Sequence, residues 1–170
     1  NSFPNTLNTL MGIESNYLLR IGDATIPNNQ LQVATSVNNC TSADLQLESG
    51  KWYHVAVAFN KGNVKVYING VEKLSGSTGK SSVSLGAKHT NEEDGSRCFW
   101  VGYSYKDDRY FDGVVSEVRI WNRALTAEEI QATNHFYTIE PESEGLIAYW
   151  KFDEGSGTVA KDYSVSGYDL

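Results

Sequence analysis

The chain has 170 residues, 40% hydrophobic and 21% charged, with a formal net charge of −7. This length suits one domain with its own core, and the composition argues against disorder. The acidic balance argues against nucleic acid and anionic lipid, which demand clustered Lys and Arg, and the longest apolar run, residues 55–59, is far too short for direct membrane insertion.

Residues 1–14 read as domain interior rather than as a leader. Residues 17–22 and 30–35 read as strands, and residues 23–29, with Pro27, as the connector between them. In residues 52–59, Tyr53, Val55, Val57 and Phe59 alternate with Trp52, His54, Ala56 and Ala58, the period of a strand. Residues 60–63 form a turn, and residues 64–69 alternate again with Val64, Val66 and Ile68 on one face. Asn69-Gly70 is a strong hairpin signal, because a type I′ turn needs positive φ at both central positions. Residues 52–75 therefore predict a three-strand antiparallel meander. Residues 99–105, 114–121 and 146–152 predict further strands. Strands this numerous, about ten residues apart, imply an all-β, two-sheet antiparallel sandwich that clamps Val55, Val57, Val66, Ile68, Val118 and Ile120. One short helix interrupts it at residues 126–133, opened by the capping box Thr126-Ala127-Glu128-Glu129. Residues 140–145 read as a polar connector.

Three stretches resemble the laminin-G-like and pentraxin-like jelly rolls of the concanavalin A-like superfamily. They are GKWYHVAVAFNKGNVKVYINGVEK, FWVGYSYKDDRYFDGVVSEVRIWNRALTAEEI and LIAYWKFDEGSGTVAKDYSVSGYDL. The last of these usually opens such a domain and here comes last. That order resembles laminin-G-like domains of Bacteroides-type surface proteins, often found in glycan-utilisation systems. The resemblance implies a jelly roll of two antiparallel sheets. By its length the chain reads as one domain, residues 1–170, and it is expected to be a fragment of a longer exported protein. It also implies ligands on a concave sheet or at rim loops, often with calcium.

The hydrolases of this superfamily need two carboxylates about 5 to 9 Å apart, which on one strand face means even spacing. The E-x-D-x-x-E run that many of them carry is missing here, and the evenly spaced Glu140, Glu142 and Glu144 are interrupted by Pro141 and followed by Gly145. His54, His89 and His135 have no serine or cysteine partner by motif, and His54 reads as a packed residue beside Trp52. No catalytic residue is expected.

Calcium takes about six to eight oxygen ligands. Asp107, Asp108 and Asp112 cluster in KDDRYFDG, the loop that in pentraxin-like relatives contributes calcium ligands; an ordinary turn at Asp112-Gly113 is the alternative. Asp153 and Asp162 flank the Gly-Ser-Gly turn as a second candidate, the alternative being a carboxylate bonded to its own turn amides. Glu92-Glu93-Asp94 is the weakest candidate. A sugar needs an aromatic plane and a few polar groups, which Tyr103, Tyr105, Arg109 and Tyr110 offer around one loop. Tyr103 and Tyr105 share a strand face and belong to the core if that face points inward. Trp52, Trp100, Trp121 and Trp150 read as packing residues with the indole N–H tied to backbone. Export would let Cys40 and Cys98 pair as a disulfide; in a reducing compartment they stay thiols. Asn39-Cys40-Thr41 matches a glycosylation sequon, which a bacterial source would leave bare.

These readings converge on a non-catalytic carbohydrate-binding accessory module at the cell surface, outer membrane or periplasm of a Gram-negative bacterium, its partner a glycan or polysaccharide. The alternatives are a glycoside hydrolase of the same superfamily and a protein–protein adhesion module.

Overall fold

The computed structural model describes residues 8–13, 16–23, 26–36, 39–44, 47–84, 99–104 and 109–170. In chain order the strands are β1 (Asn8–Ile13), β2 (Tyr17–Asp23), β3 (Ile26–Ser36), β4 (Asn39–Asp44) and β5 (Val55–Asn60). There follow β6 (Asn63–Ile68), β7 (Val71–Ser77), β8 (Trp100–Val101), β9 (Val118–Trp121) and β10 (Leu146–Trp150). The helix α1 (Ala127–Gln131) and a 3-10 turn (Thr133–Phe136) lie between β9 and β10.

The meander follows directly from its turn residues. Lys61 and Gly62 take φ of 50° and 89°, and Asn69 and Gly70 take 50° and 76°, so both hairpins turn through two left-handed residues. The Asn69 side chain also accepts a 2.9 Å hydrogen bond from the His54 amide, which ties the segment before β5 to the second turn. Along β6, Val64, Val66 and Ile68 are buried while Asn63 and Lys65 are exposed.

Two layers result. β4-β3-β2-β1-β8 form one antiparallel sheet, and β5-β6-β7 and β10-β9 form two smaller ones. Leu19, Ile21, Leu31 and Val33 of the large sheet pack against Val64, Val66 and Ile68 of β6. Val118, Ala148 and Trp150 of the β9–β10 pair pack with Met11 and Val101 at the other end of that sheet. Both small sheets thus cover one large sheet, and the second layer is divided between β5 and β9. Each fully buried Val or Ile contributes about 1.5–3 kcal/mol over its exposed state. The clamp expected of six residues holds fully for Val66, Ile68 and Val118; Val55, Val57 and Ile120 are half-buried beside the division.

Several boundaries differ from the sequence reading. Within the expected connector 23–29, Asp23 already pairs with Ile26, because β3 starts before Pro27. β1 and β4 were not anticipated as strands, and Cys40 lies in β4 opposite Ala34. Of the strand expected at 99–105, only Trp100–Val101 is strand among the described residues, ended by Gly102 at φ 74°. That expected at 114–121 shrinks to Val118–Trp121, because Glu117 sits at φ 57°. β10 stops at Trp150, two residues before Phe152 at φ 57°.

The capping box forms as its chemistry requires. The Glu129 amide donates to Thr126 Oγ1 at 3.2 Å, and the Thr126 amide donates to Glu129 Oε2 at 2.7 Å. Arg123 adds a fork to the same carboxylate at 3.0 and 2.7 Å and, with the Thr126 amide, holds it down to about 2. α1 is shorter than the expected 126–133: it ends at Gln131, since Ala132 turns to ψ 133° and only Ile130 of the helix is buried.

Candidate functional site

The division of the second layer is an open cleft of about 1780 Å³. β5 and β9 are each terminal strands of their sheets, so each lends the cleft an edge with no strand paired to it among the described residues. The interior is mostly apolar, with Val55, Val57, Phe59 and Ile120 among its walls. Two aromatic residues of the lining, Trp52 and Tyr137, stand 70% exposed. The expectation that Trp52 packs within a strand is therefore corrected: β5 begins three residues later, and Trp52 belongs to the segment that follows the Ser49-Gly50 turn. Trp150, by contrast, is buried and its indole N–H donates to the Tyr168 carbonyl at 2.9 Å.

One end of the cleft is a cationic and aromatic seam. His54 stands edge-on to His135 with ring centroids 5.3 Å apart, and to Phe136 at 4.9 Å. Burial, then the neighbouring His135 and Arg119, push the His54 imidazole down to about 4. Burial and Arg119 also lower His135, against a smaller opposing pull from Glu129. Arg119 Nη1 donates to the His135 carbonyl at 2.5 Å, and Nη2 donates to Glu117 Oε2 at 2.5 Å and to the Tyr137 carbonyl. Its guanidinium lies 5.1 Å over the Tyr149 ring, whose hydroxyl donates to Glu117 Oε2 at 2.5 Å. Arg119 thereby fixes the segment bearing Tyr137 against β9. Tyr137 and this network were not singled out from the sequence; no motif marks them, because their partners lie up to 32 residues apart.

The rim loop is pinned at its neck. Gly102 N donates to Leu10 O, and Phe111 N donates to Gly102 O, both at 2.8 Å. This brings Tyr103 and Tyr110 to the base of one loop. Tyr103 is half-buried, edge-on to Trp100 at 5.1 Å, Arg109 is half-buried, and Tyr110 is exposed. Tyr105, Asp107 and Asp108 lie outside the described residues, as do His89, Glu92, Glu93, Asp94 and Cys98. Asp112 is exposed on the cleft lining.

Asp153 is exposed, whereas Asp162 is buried and accepts four hydrogen bonds. Its Oδ1 takes the amides of Tyr149 (2.9 Å) and Ser164 (2.8 Å), and its Oδ2 takes the Tyr168 amide (2.8 Å) and the Ser164 hydroxyl (3.0 Å). Burial raises this carboxyl, but the Ser164, Tyr168 and Tyr149 amides outweigh it and hold it below its ordinary value. Among the described residues no group of three or more His, Cys, Asp or Glu is placed to hold a metal ion. Glu140, Glu142 and Glu144 are exposed and lie outside the strands.

An antiparallel two-layer sandwich with these hairpins defines a laminin-G-like jelly roll. Residues 2–131 match the laminin-G family of the concanavalin A-like lectin/glucanases superfamily, and the chain belongs to it. A solved structure of a candidate carbohydrate-binding protein from Bacteroides ovatus is similar over 96% of this chain, with a TM-score of 0.74 and 28% identity. The human adhesion G-protein coupled receptor D1 is 34% identical over 85 residues, 46% of this chain. This chain spans 46% of the Bacteroides protein and 8% of the receptor. Among the described residues no helix is long and apolar enough to cross a membrane.

Proposed function

We propose that this chain is a non-catalytic carbohydrate-binding module of an exported or surface protein that handles glycans. The observation that carries the reading is the likeness to the Bacteroides ovatus protein over 96% of this chain. The open cleft with Trp52 and Tyr137 at 70% exposure supports it, because a solvent-facing aromatic plane suits the apolar face of a pyranose. The superfamily also includes glucanases. Against hydrolysis here stands the expectation, from the sequence, of no evenly spaced carboxylate pair on a strand, such an enzyme needing two carboxylates about 5 to 9 Å apart. Calcium at the loop of Asp107, Asp108 and Asp112 is part of the proposal, as a support for rim geometry that would present Tyr103, Tyr105, Arg109 and Tyr110.

The test is a glycan array probed with the labelled chain in calcium and again after EDTA. Specific retention of one glycan class is the expected result, weakened by EDTA if calcium shapes the rim. A folded chain that is retained by no glycan in either condition overturns the reading and favours adhesion to protein.

A further inference from the structure

The charges along the cleft are matched to one another. Lys51 pairs with Glu48 at 2.9 Å, Arg119 with Glu117 at 2.5 Å, and Arg123 with Glu129 at 2.7 Å. The lining adds one further residue of each sign, Lys61 and Asp112. A uronate or sulfate would call for a surplus of Arg or Lys to meet it; with Glu129, which stands outside the lining, counted as the partner of Arg123, the described residues leave no such surplus. What remains for a ligand is the apolar walls, the exposed planes of Trp52 and Tyr137, and the backbone N–H and C=O groups along the unpaired edges of β5 and β9. Such edges alternate donor and acceptor, and a sugar hydroxyl serves as both. The volume, about 1780 Å³, exceeds the roughly 300–1,000 Å³ of sites for a single small ligand.

We propose that the cleft between β5 and β9 binds an uncharged glycan chain several sugar units long, with Trp52 and Tyr137 as its two stacking planes. This rests on the carbohydrate-binding reading and deepens it by naming the site and the charge class. It places the principal site in the divided layer and not at the loop of Tyr103 and Tyr110.

Affinity electrophoresis of the purified chain tests it, in gels carrying a soluble neutral β-glucan, a galactomannan, polygalacturonate or dextran sulfate. The variants are Trp52→Ala, Tyr137→Ala and Tyr110→Ala, with circular dichroism as the check on folding; all three side chains are exposed. Retardation by a neutral polymer is expected, weakened at least tenfold by Trp52→Ala and by Tyr137→Ala and by much less in Tyr110→Ala. Retardation that survives both cleft variants, or is lost only in Tyr110→Ala, overturns the cleft site and leaves the carbohydrate-binding reading standing. Retardation only by the acidic polymers overturns the charge class. Retention by no glycan, with binding instead to an extended peptide along the strand edges, overturns this inference together with the reading beneath it.

Discussion

Asp162 illustrates how one side chain can organise a turn that carries little regular structure. Its two oxygens gather the amides of Tyr149, Ser164 and Tyr168 and the Ser164 hydroxyl, so the closing segment is fastened to β10 through a single carboxylate. Asp162→Ala leaves buried N–H groups without an acceptor and should cost about 2–4 kcal/mol. Asp162→Asn should cost less, about 1–2 kcal/mol, because Oδ1 is retained and the Ser164 hydroxyl can reverse to accept. Only the Tyr168 amide then faces a donor. Urea unfolding of the two variants measures the difference, and equal losses would assign the effect to charge rather than to the acceptor. From the sequence, Asp162 was open between a metal ligand and a turn acceptor, since the Asp-to-turn spacing serves both. The four bonds are what the folded chain makes of it.

At the scale of the elements, the hairpins and the helix start were the most legible features. A type I′ turn and a capping box are local: their geometry is satisfied within four residues and needs no tertiary partner. Gly70 carries a further, non-local demand. It sits at φ 76°, and a Cβ there would lie 2.9 Å from Phe136 Cζ. Gly155 has a similar φ, 71°, with nothing within 4 Å. Gly155→Ala should therefore lose only the backbone strain, about 1–2 kcal/mol. Gly70→Ala should lose that plus the displacement of Phe136, roughly 1 kcal/mol more. Thermal unfolding of the pair checks this, and identical shifts would show that Phe136 yields freely. The over-long strands expected at 99–105, 114–121 and 146–152 failed for one shared reason. Apolar alternation continues past the point where Gly102, Glu117 or Phe152 turns the backbone to positive φ, and alternation reports side-chain facing, not hydrogen bonding.

At the scale of the molecule, the division between β5 and β9 is held at one end by the His54–His135–Arg119 seam, where the meander meets the 3-10 turn and β9. His54 titrates near 4 when folded, against an ordinary 6.5. Between those values the unfolded chain binds a proton that the folded chain refuses, so stability falls as pH drops through this window and is constant above it for this group. His135, lowered in the same direction, adds to the trend. His54→Phe keeps a ring against Phe136 and should flatten the pH dependence between pH 7 and 4.5. Urea midpoints of both proteins across that range test it, and parallel curves would remove His54 as the cause.

The sequence by itself determined the class of the fold, the meander with the places of its two turns, and the capped helix, because period-two burial and turn chemistry are written within a few neighbouring residues. Only the tertiary structure decided that the second layer is divided and that Trp52 and Tyr137 stand exposed on the resulting cleft. Those facts depend on which strand edges meet across the sandwich and on contacts between distant segments such as Arg119 with Tyr137 and Glu117 with Tyr149. No local pattern of residues encodes a pairing between edges, since every backbone carries the same donors and acceptors.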